Sequence, residues 1–303
     1  MLRHVVAIVS GGSSGLGAAA ASHIVRHGGR AVIADLPSTK DNFLRLAATT
    51  CAELHPHSSN CEYEYYPHDG GGHGDNIDTY SIDTTGRSGN SGPVLAFAEV
   101  DVRNEENVIR ALDLAEEKFG ESVNVSISCA GICPARKTLS SSSSSPSIKI
   151  HTLEEFNDTL AVNTTGTFNL TRLAADRMAK RKPDVQGMRG CIINTASIAA
   201  FEGQTGQVAY AASKGALVGM TLPLARDLAP FGIRVMTIAP GLFATPLLDG
   251  LPSSVQRELA KLVPCPSRLG DPDEFGRLVG SILLNPMLNG EVIRLDGALR
   301  MPP

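Results

Sequence analysis

No run of apolar residues in this 303-residue chain reaches eighteen, so no membrane span is expected. Neither sign of charge dominates. The 27 Lys and Arg stand against 31 Asp and Glu, a net charge of −4 that gives nucleic acid little to hold. The six cysteines, at 51, 61, 129, 133, 191 and 265, lack the spacing of a secreted disulfide framework. Cys129 and Cys191 fall in expected core strands, which fits reduced intracellular thiols, and Cys129 with Cys133 forms C-x3-C rather than the redox C-x-x-C pattern. The first expected strand begins almost at Met1 and is read as leaving no room for a signal peptide. With 42% hydrophobic and 19% charged residues, the chain suits an α/β fold with ample core.

What is present begins with a strand, a glycine turn and a helix. The apolar run Val5–Val9 is followed by Ser10-Gly11-Gly12-Ser13-Ser14-Gly15-Leu16-Gly17 and then by the alanines 18–21. Glycines there let the backbone turn tightly and approach a pyrophosphate, to which a helix start offers unpaired N–H groups. A second apolar run, Ala31–Ala34, ends at Asp35. An acid at that spacing accepts hydrogen bonds from an adenosine ribose and repels a 2′-phosphate. With no base at Ser13 or Ser14, or directly after Asp35, the pattern favours NAD over NADP. Gly11, Ser14, Leu16, Gly17 and Asp35 are the candidate contacts.

Far along the chain, Tyr210 and Lys214 stand four residues apart in Y-A-A-S-K, and Ser197 closes the apolar run Cys191–Ala196. Four residues are one helical turn, so phenol and ammonium share a face. The nearby cation is expected to lower the phenol pKa, and a serine hydroxyl can hold a carbinol or carbonyl oxygen. Such a set suits proton transfer in alcohol–ketone chemistry.

Alternating segments predict a parallel sheet covered on both faces. Strands are expected near 4–10, 31–35, 94–100, 123–128, 190–196, 233–239 and 291–295. Helices are expected near 15–27, 104–119, 153–181, 207–229 and 272–285, with a kink at Pro223. Two segments break the alternation. Residues 51–92 hold seven glycines and seven acids against one base, so 39–93 is read as an acidic, flexible insertion with His55, His57, His68 and His73. Its C-x3-H-x-H-x3-C array, Cys51, His55, His57 and Cys61, could take zinc, but matches no structural zinc spacing; polar loops often gather histidines, and no metal is expected. The run Ser140–Ser145 reads as a low-complexity loop near the substrate mouth, or a plain linker. Residues 241–269 form a candidate substrate loop in which Phe243 could line an acyl pocket and Thr245 could hold a carboxamide. Leu242, Leu247, Leu248 and Leu251 there are either apolar lid or packing. Arg257, Lys261 and Arg268 are candidate phosphate contacts or a solvated face.

On these motifs the chain resembles the short-chain dehydrogenase/reductase family over nearly all its length, apart from 39–93 and the serine-rich loop. The resemblance implies a single domain, 1–303, with a doubly wound seven-stranded parallel Rossmann sheet. It maps the family's adenine-ring aspartate onto Asp101 beside Val102. The N-N-A-G motif maps onto Ser128-Cys129-Ala130-Gly131, with both asparagines absent. Asn163 in Val162-Asn163-Thr164-Thr165-Gly166 corresponds to the active-site asparagine. Asn163, Ser197, Tyr210 and Lys214 are then the catalytic candidates, with Ser197, Tyr210 and Phe243 facing substrate. Cys129, Ala130, Gly131, Tyr210, Lys214, Pro240, Phe243 and Thr245 join the cofactor set. The stretches CIINTASIAAFEGQTGQVAYAASKGALVGMTLPLARDLAPFGIRVMTIAPGLFATPLL, PSRLGDP and NGEVIRLDGALRMPP are similar to the branch acting on 3-hydroxyacyl-CoA. That closer likeness implies NAD-dependent oxidation of short-chain and 2-methyl-branched 3-hydroxyacyl-CoA. It also implies some activity on steroids and alcohols, a homotetramer and a mitochondrial setting, with the cytoplasm as the alternative. The same residues would serve a steroid or secondary-alcohol dehydrogenase. A dinucleotide-binding scaffold without catalysis is the reading from another class.

Overall fold

A computed structural model describes residues 1–54, 62–66, 79–83, 93–142 and 145–303. In chain order the elements begin β1 (Val6–Ser10), α1 (Gly15–Arg26), β2 (Arg30–Asp35), α2 (Lys40–Leu54), β3 (Glu62–Tyr66), β4 (Thr79–Asp83), β5 (Pro93–Glu99) and α3 (Glu105–Phe119). They continue β6 (Val125–Ser128), β7 (Leu139–Ser142), β8 (Ser145–Ile150), α4 (Leu153–Leu160), α5 (Thr167–Ala179), β9 (Gly190–Thr195) and α6 (Val208–Leu228). The last are β10 (Ile233–Pro240), α7 (Pro246–Asp249), α8 (Ser253–Lys261), α9 (Pro272–Leu284) and β11 (Val292–Leu295).

Seven strands run parallel in the order β11-β10-β9-β6-β1-β2-β5. The strand order reverses between β1 and β6, which leaves a crevice at their carboxyl ends. Strand residues alternate between two apolar layers, so both faces are covered and the strands read as near-continuous apolar runs. Ala7, Val9, Ile33, Phe97 and Ile127 pack toward Ile24, Phe43, Phe275 and Val279 of α1, α2 and α9. Val6, Ile8, Val32, Ala96 and Ile192 pack toward Val108, Leu112, Leu170 and Ala225 of α3, α5 and α6.

Four expectations change. Residues 39–93, read from composition as flexible, open with α2, whose Phe43, Ala47 and Cys51 are buried at helical spacing. Phe43 packs on Phe97 with ring centroids 5.0 Å apart. The same segment contributes β3 and β4, which pair antiparallel and extend the sheet beyond β5 to nine strands. Backbone pairing at a sheet edge needs little apolar patterning, so composition did not signal it. Of the zinc array, Cys51 is disulfide-bonded, and His55, His57 and Cys61 lie outside the described residues. In the serine-rich segment β7 and β8 pair antiparallel, Ser140 opposite Lys149 and Ser141 opposite Ile148. The single helix expected over 153–181 is α4 and α5 joined by a π turn, Ala161–Gly166.

The helix around Tyr210 extends to Phe231 and is, among the described residues, long and apolar enough by composition to cross a membrane. It packs instead on β10, burying Ala209, Ser213, Lys214, Leu217, Thr221 and Ala225. It continues unbroken through Pro223.

Candidate active site

The glycine turn sits at the β1/β6 crossover because no side chain fits there. A Cβ on Gly11, whose φ is +63°, would lie 2.7 Å from the Ala130 nitrogen, and one on Gly17 would lie 2.3 Å from the Gly11 carbonyl oxygen. Ser14 stands at the N-cap of α1 without a side-chain bond to the helix, whose first turn carries no acid. Its first N–H groups therefore face the crevice with no intrahelical partner. At the end of β2, the Asp35 carboxylate accepts from the Ser13 N–H (3.0 Å) and the Leu36 N–H (2.9 Å). Each oxygen keeps a lone pair for a further donor. Asp101 is held by a fork from Arg103, with Nη2 2.6 Å and Nε 3.0 Å from its oxygens. That hydrogen-bonded fork holds its carboxyl below the usual range.

These groups and the carboxyl ends of the parallel strands line one cavity of about 850 Å³. Every expected cofactor contact lies on it: Gly11, Ser14, Leu16, Gly17, Asp35, Asp101, Val102, Cys129, Ala130, Gly131, Tyr210, Lys214, Pro240, Phe243 and Thr245. Ser197 lines it too, as do Leu242, Leu247 and Leu248 of the substrate loop. Phe243 contributes little open surface, being 6% exposed with its ring seated where a Gly270 side chain would stand. Arg257, Lys261 and Arg268 do not line the cavity. Lys261 pairs with Glu258, and Arg268 forms a fork on Glu274.

Sequence reasoning passed over Arg103, Ile132, Cys133, Gln204, Gln207 and Met301, which also line the cavity. Arg103 follows Asp101 by two residues, a spacing that could have suggested the fork. Met301 carries no local signal, because only folding brings the chain end here.

Ser197, two residues past β9, has extended backbone and caps a short 3-10 turn, accepting from the Ala199 N–H at 3.1 Å. Its hydroxyl stands close enough to the Tyr210 phenol to draw the phenol pKa down. Lys214 Nζ lies 5.7 Å from the centre of the Tyr210 ring and donates to the Thr195 carbonyl at 2.7 Å. The expected acidic phenol is not found in the cofactor-free chain. Burial pushes Tyr210 up to about 12; nearby Cys133 adds to this, and the Ser197 hydroxyl offsets part of it. Burial likewise pulls Lys214 down to about 8, against the opposing influence of Cys129 and Cys133. Desolvation outweighs the neighbouring cation.

Asn163 lies in the π turn, fully buried behind Gly131 rather than on the cavity wall. Its Oδ1 accepts from the Ile132 N–H (2.8 Å), and its Nδ2 donates to the Ile132 carbonyl (2.9 Å) and Ser213 Oγ (3.0 Å). Both polar atoms of the Asn163 side chain are thus engaged in bracing the end of β6. That brace stands where the strand end lacks both asparagines of the family motif. Cys129 contributes there as a neutral thiol, pushed up to about 11 by burial and bonded to Thr195 Oγ1 at 3.2 Å.

An acid at the end of β2, a glycine turn and a serine–tyrosine–lysine set on one crevice suit an oxidoreductase using a nicotinamide dinucleotide. The chain belongs to the short-chain dehydrogenase family, whose sequence model, described as short chain dehydrogenase, matches residues 83–255. It is 48% identical over 302 residues to 3-hydroxyacyl-CoA dehydrogenase type-2 of Bos taurus, covering 100% of this chain and 97% of that protein. The protein of the same name from Drosophila melanogaster is 44% identical over 303 residues and covers 100% of both chains. The crystal structure of 3-hydroxyacyl-CoA dehydrogenase type-2 from Mycobacterium avium superposes with a TM-score of 0.76 at 32% identity, covering 100% of this chain and 98% of that one.

Proposed function

We propose that the protein oxidises the 3-hydroxyl of short-chain and 2-methyl-branched 3-hydroxyacyl-CoA to the 3-keto form, with NAD as acceptor. The observation that carries this reading is that Ser197, Tyr210 and Lys214 line one cavity with the Asp35 carboxylate. The names of the full-length relatives supply the substrate class. The residues present suit the dinucleotide. The backbone packing at Gly11 and Gly17 fixes the tight turn that leads into the α1 N–H groups suited to a pyrophosphate, and the Asp35 oxygens can accept from ribose hydroxyls while opposing a 2′-phosphate. Bound there, oxidised NAD would supply a hydride acceptor for the substrate C3 and a positive charge beside Tyr210 that would favour its phenolate.

The rest is done by the chain. Ser197 Oγ holds the substrate oxygen beside Tyr210. Tyr210, ionised, accepts the hydroxyl proton and becomes the neutral phenol, and the buried Lys214 ammonium stabilises the phenolate that precedes this transfer. Asn163 keeps Gly131 and Ile132 in place beneath this set. The reading extends to a homotetramer. Helix α6 is apolar on its outer face as well as its inner one, and Leu222 and Phe168 of α5 are exposed, as suits burial against other copies.

NADH formation from 3-hydroxybutyryl-CoA, compared with steroids and secondary alcohols, tests the substrate class. Tyr210→Phe is expected to lower kcat about 10²–10⁴-fold while NADH binding persists. Full activity in that variant would remove Tyr210 from the chemistry. Turnover of alcohols or steroids but of no acyl-CoA would replace the proposed substrate.

A further inference from the structure

The end of the chain returns to the substrate half of the cavity. Beyond β11, the Met301 N–H donates to Glu202 Oε2 at 3.0 Å, and Gln204 Nε2 donates to the Pro302 carbonyl at 3.2 Å. Glu202 and Gln204 lie on the segment joining Ser197 to Tyr210, whereas Gly11, Asp35 and Asp101 line the opposite, adenosine end. Met301 and Gln204 both line the cavity. Met301 also packs on the buried cluster of Ile198, Val263 and Leu299, next to the catalytic serine and the substrate loop.

A four-membered charge cluster ties this tail down. Arg294 on β11 forks onto Glu202 at 2.8 and 3.2 Å, reaches Asp296 at 2.7 Å and donates to the Leu299 carbonyl at 2.9 Å. Arg300 reaches both Glu202 and Asp296 at 3.3 Å. The guanidinium of Arg294 also lies over the Phe201 ring, 5.4 Å from its centre. Arg294, Glu202 and Asp296 are largely shielded from water, with the exposed Arg300 beside them, and such a linked set holds one geometry better than isolated surface pairs would. Burial alone would raise the Glu202 carboxyl, yet Arg294, the Met301 amide and Arg300 together hold it below its ordinary value.

We propose that Met301 is a specificity-determining wall of the substrate pocket, positioned by Glu202, and that it sets the length of acyl group the pocket accepts. A thioether suits the task, since its unbranched, polarisable chain adapts to straight and branched neighbours. The choice of substrates for the test rests on the acyl-CoA reading, but the wall itself does not.

The test compares full-length wild type, Met301→Ala, Glu202→Gln and Glu202→Asp. It measures kcat and KM with four-, six- and eight-carbon 3-hydroxyacyl-CoA, NADH affinity by nicotinamide fluorescence, and Tm. Met301→Ala is expected to lower kcat/KM for the four-carbon substrate about three- to tenfold, chiefly through KM, and to spare the eight-carbon one. Glu202→Gln should shift the same ratio in the same direction, and Glu202→Asp should restore part of it. NADH affinity should stay within about twofold. An unchanged chain-length ratio in Met301→Ala overturns the proposal. So does an equal loss on all three substrates that merely tracks a lower Tm. Should Glu202→Gln fail to fold, Met301→Ala decides alone, since it removes no charge. If the wild type oxidises no acyl-CoA, the substrate reading falls, and the same ratio measured on secondary alcohols of matching length still judges the wall.

Discussion

Replacing Lys214 with methionine should stabilise the cofactor-free protein while destroying its activity. The side chain is 5% exposed, and burial brings its pKa from 10.5 down to about 8. A gap of roughly 2.5 units between unfolded and folded states corresponds to about 3 kcal/mol of destabilisation at neutral pH. Removing the ammonium leaves the Thr195 carbonyl without its donor, at a cost of about 1–2 kcal/mol. The net gain at pH 7 is then about 1–2 kcal/mol, or about 2–4 °C in Tm. The sign with pH follows from the depressed value. The folded state binds fewer protons than the unfolded state between pH 8 and 10.5, so wild-type stability rises through that window. The advantage of Lys214→Met must therefore shrink as pH rises from 7 toward 10. Thermal unfolding of both proteins at pH 7, 8.5 and 9.5, with and without NADH, measures this, and saturating NADH should favour the wild type. A variant less stable than wild type at pH 7, or a difference flat with pH, would show that Lys214 is not held against its own desolvation.

Two further substitutions probe the scaffold of the site. Gly17→Ala forces a Cβ to within 2.3 Å of the Gly11 carbonyl oxygen, so it should cost about 1–3 kcal/mol and weaken NADH binding by more than tenfold; calorimetric titration at wild-type affinity would contradict the close-approach argument. Asn163→Ala takes the partner from the part-buried Ile132 N–H and carbonyl, a loss of about 1–3 kcal/mol in all. Urea unfolding should show it, and a change below about 1 kcal/mol would deny Asn163 its bracing role.

The parallel sheet was readable because its signals are local. Each strand is a short apolar run, and the candidate cofactor contacts other than Tyr210 and Lys214 of α6 lie at or beyond a strand's carboxyl end. Parallel strands bring those ends together whatever the lengths of the connections between them. Gly11, Asp35, Asp101, Ala130, Ser197 and Pro240 could thus be assigned to one crevice before any packing was known. The helix α2 escaped notice because the acidic, glycine-rich stretch that follows it masked the Phe43-Ala47-Cys51 spacing. The π turn at Asn163 was hidden in the same way, since the periodicity of α4 and α5 gives no sign of one widened turn between them.

Residue order therefore settles the chemistry on offer, because hydroxyl, phenol and ammonium groups and glycine turns are local properties of the chain. It does not settle their protonation. Tyr210 and Lys214 are one turn apart in any helix, but how deeply α6 buries them against β10 moves both pKa values away from the charged forms. Nor does order show that Met301, 91 residues after Tyr210, closes the same cavity. Burial and long-range contact depend on how all the layers pack together, and no window along the chain contains them.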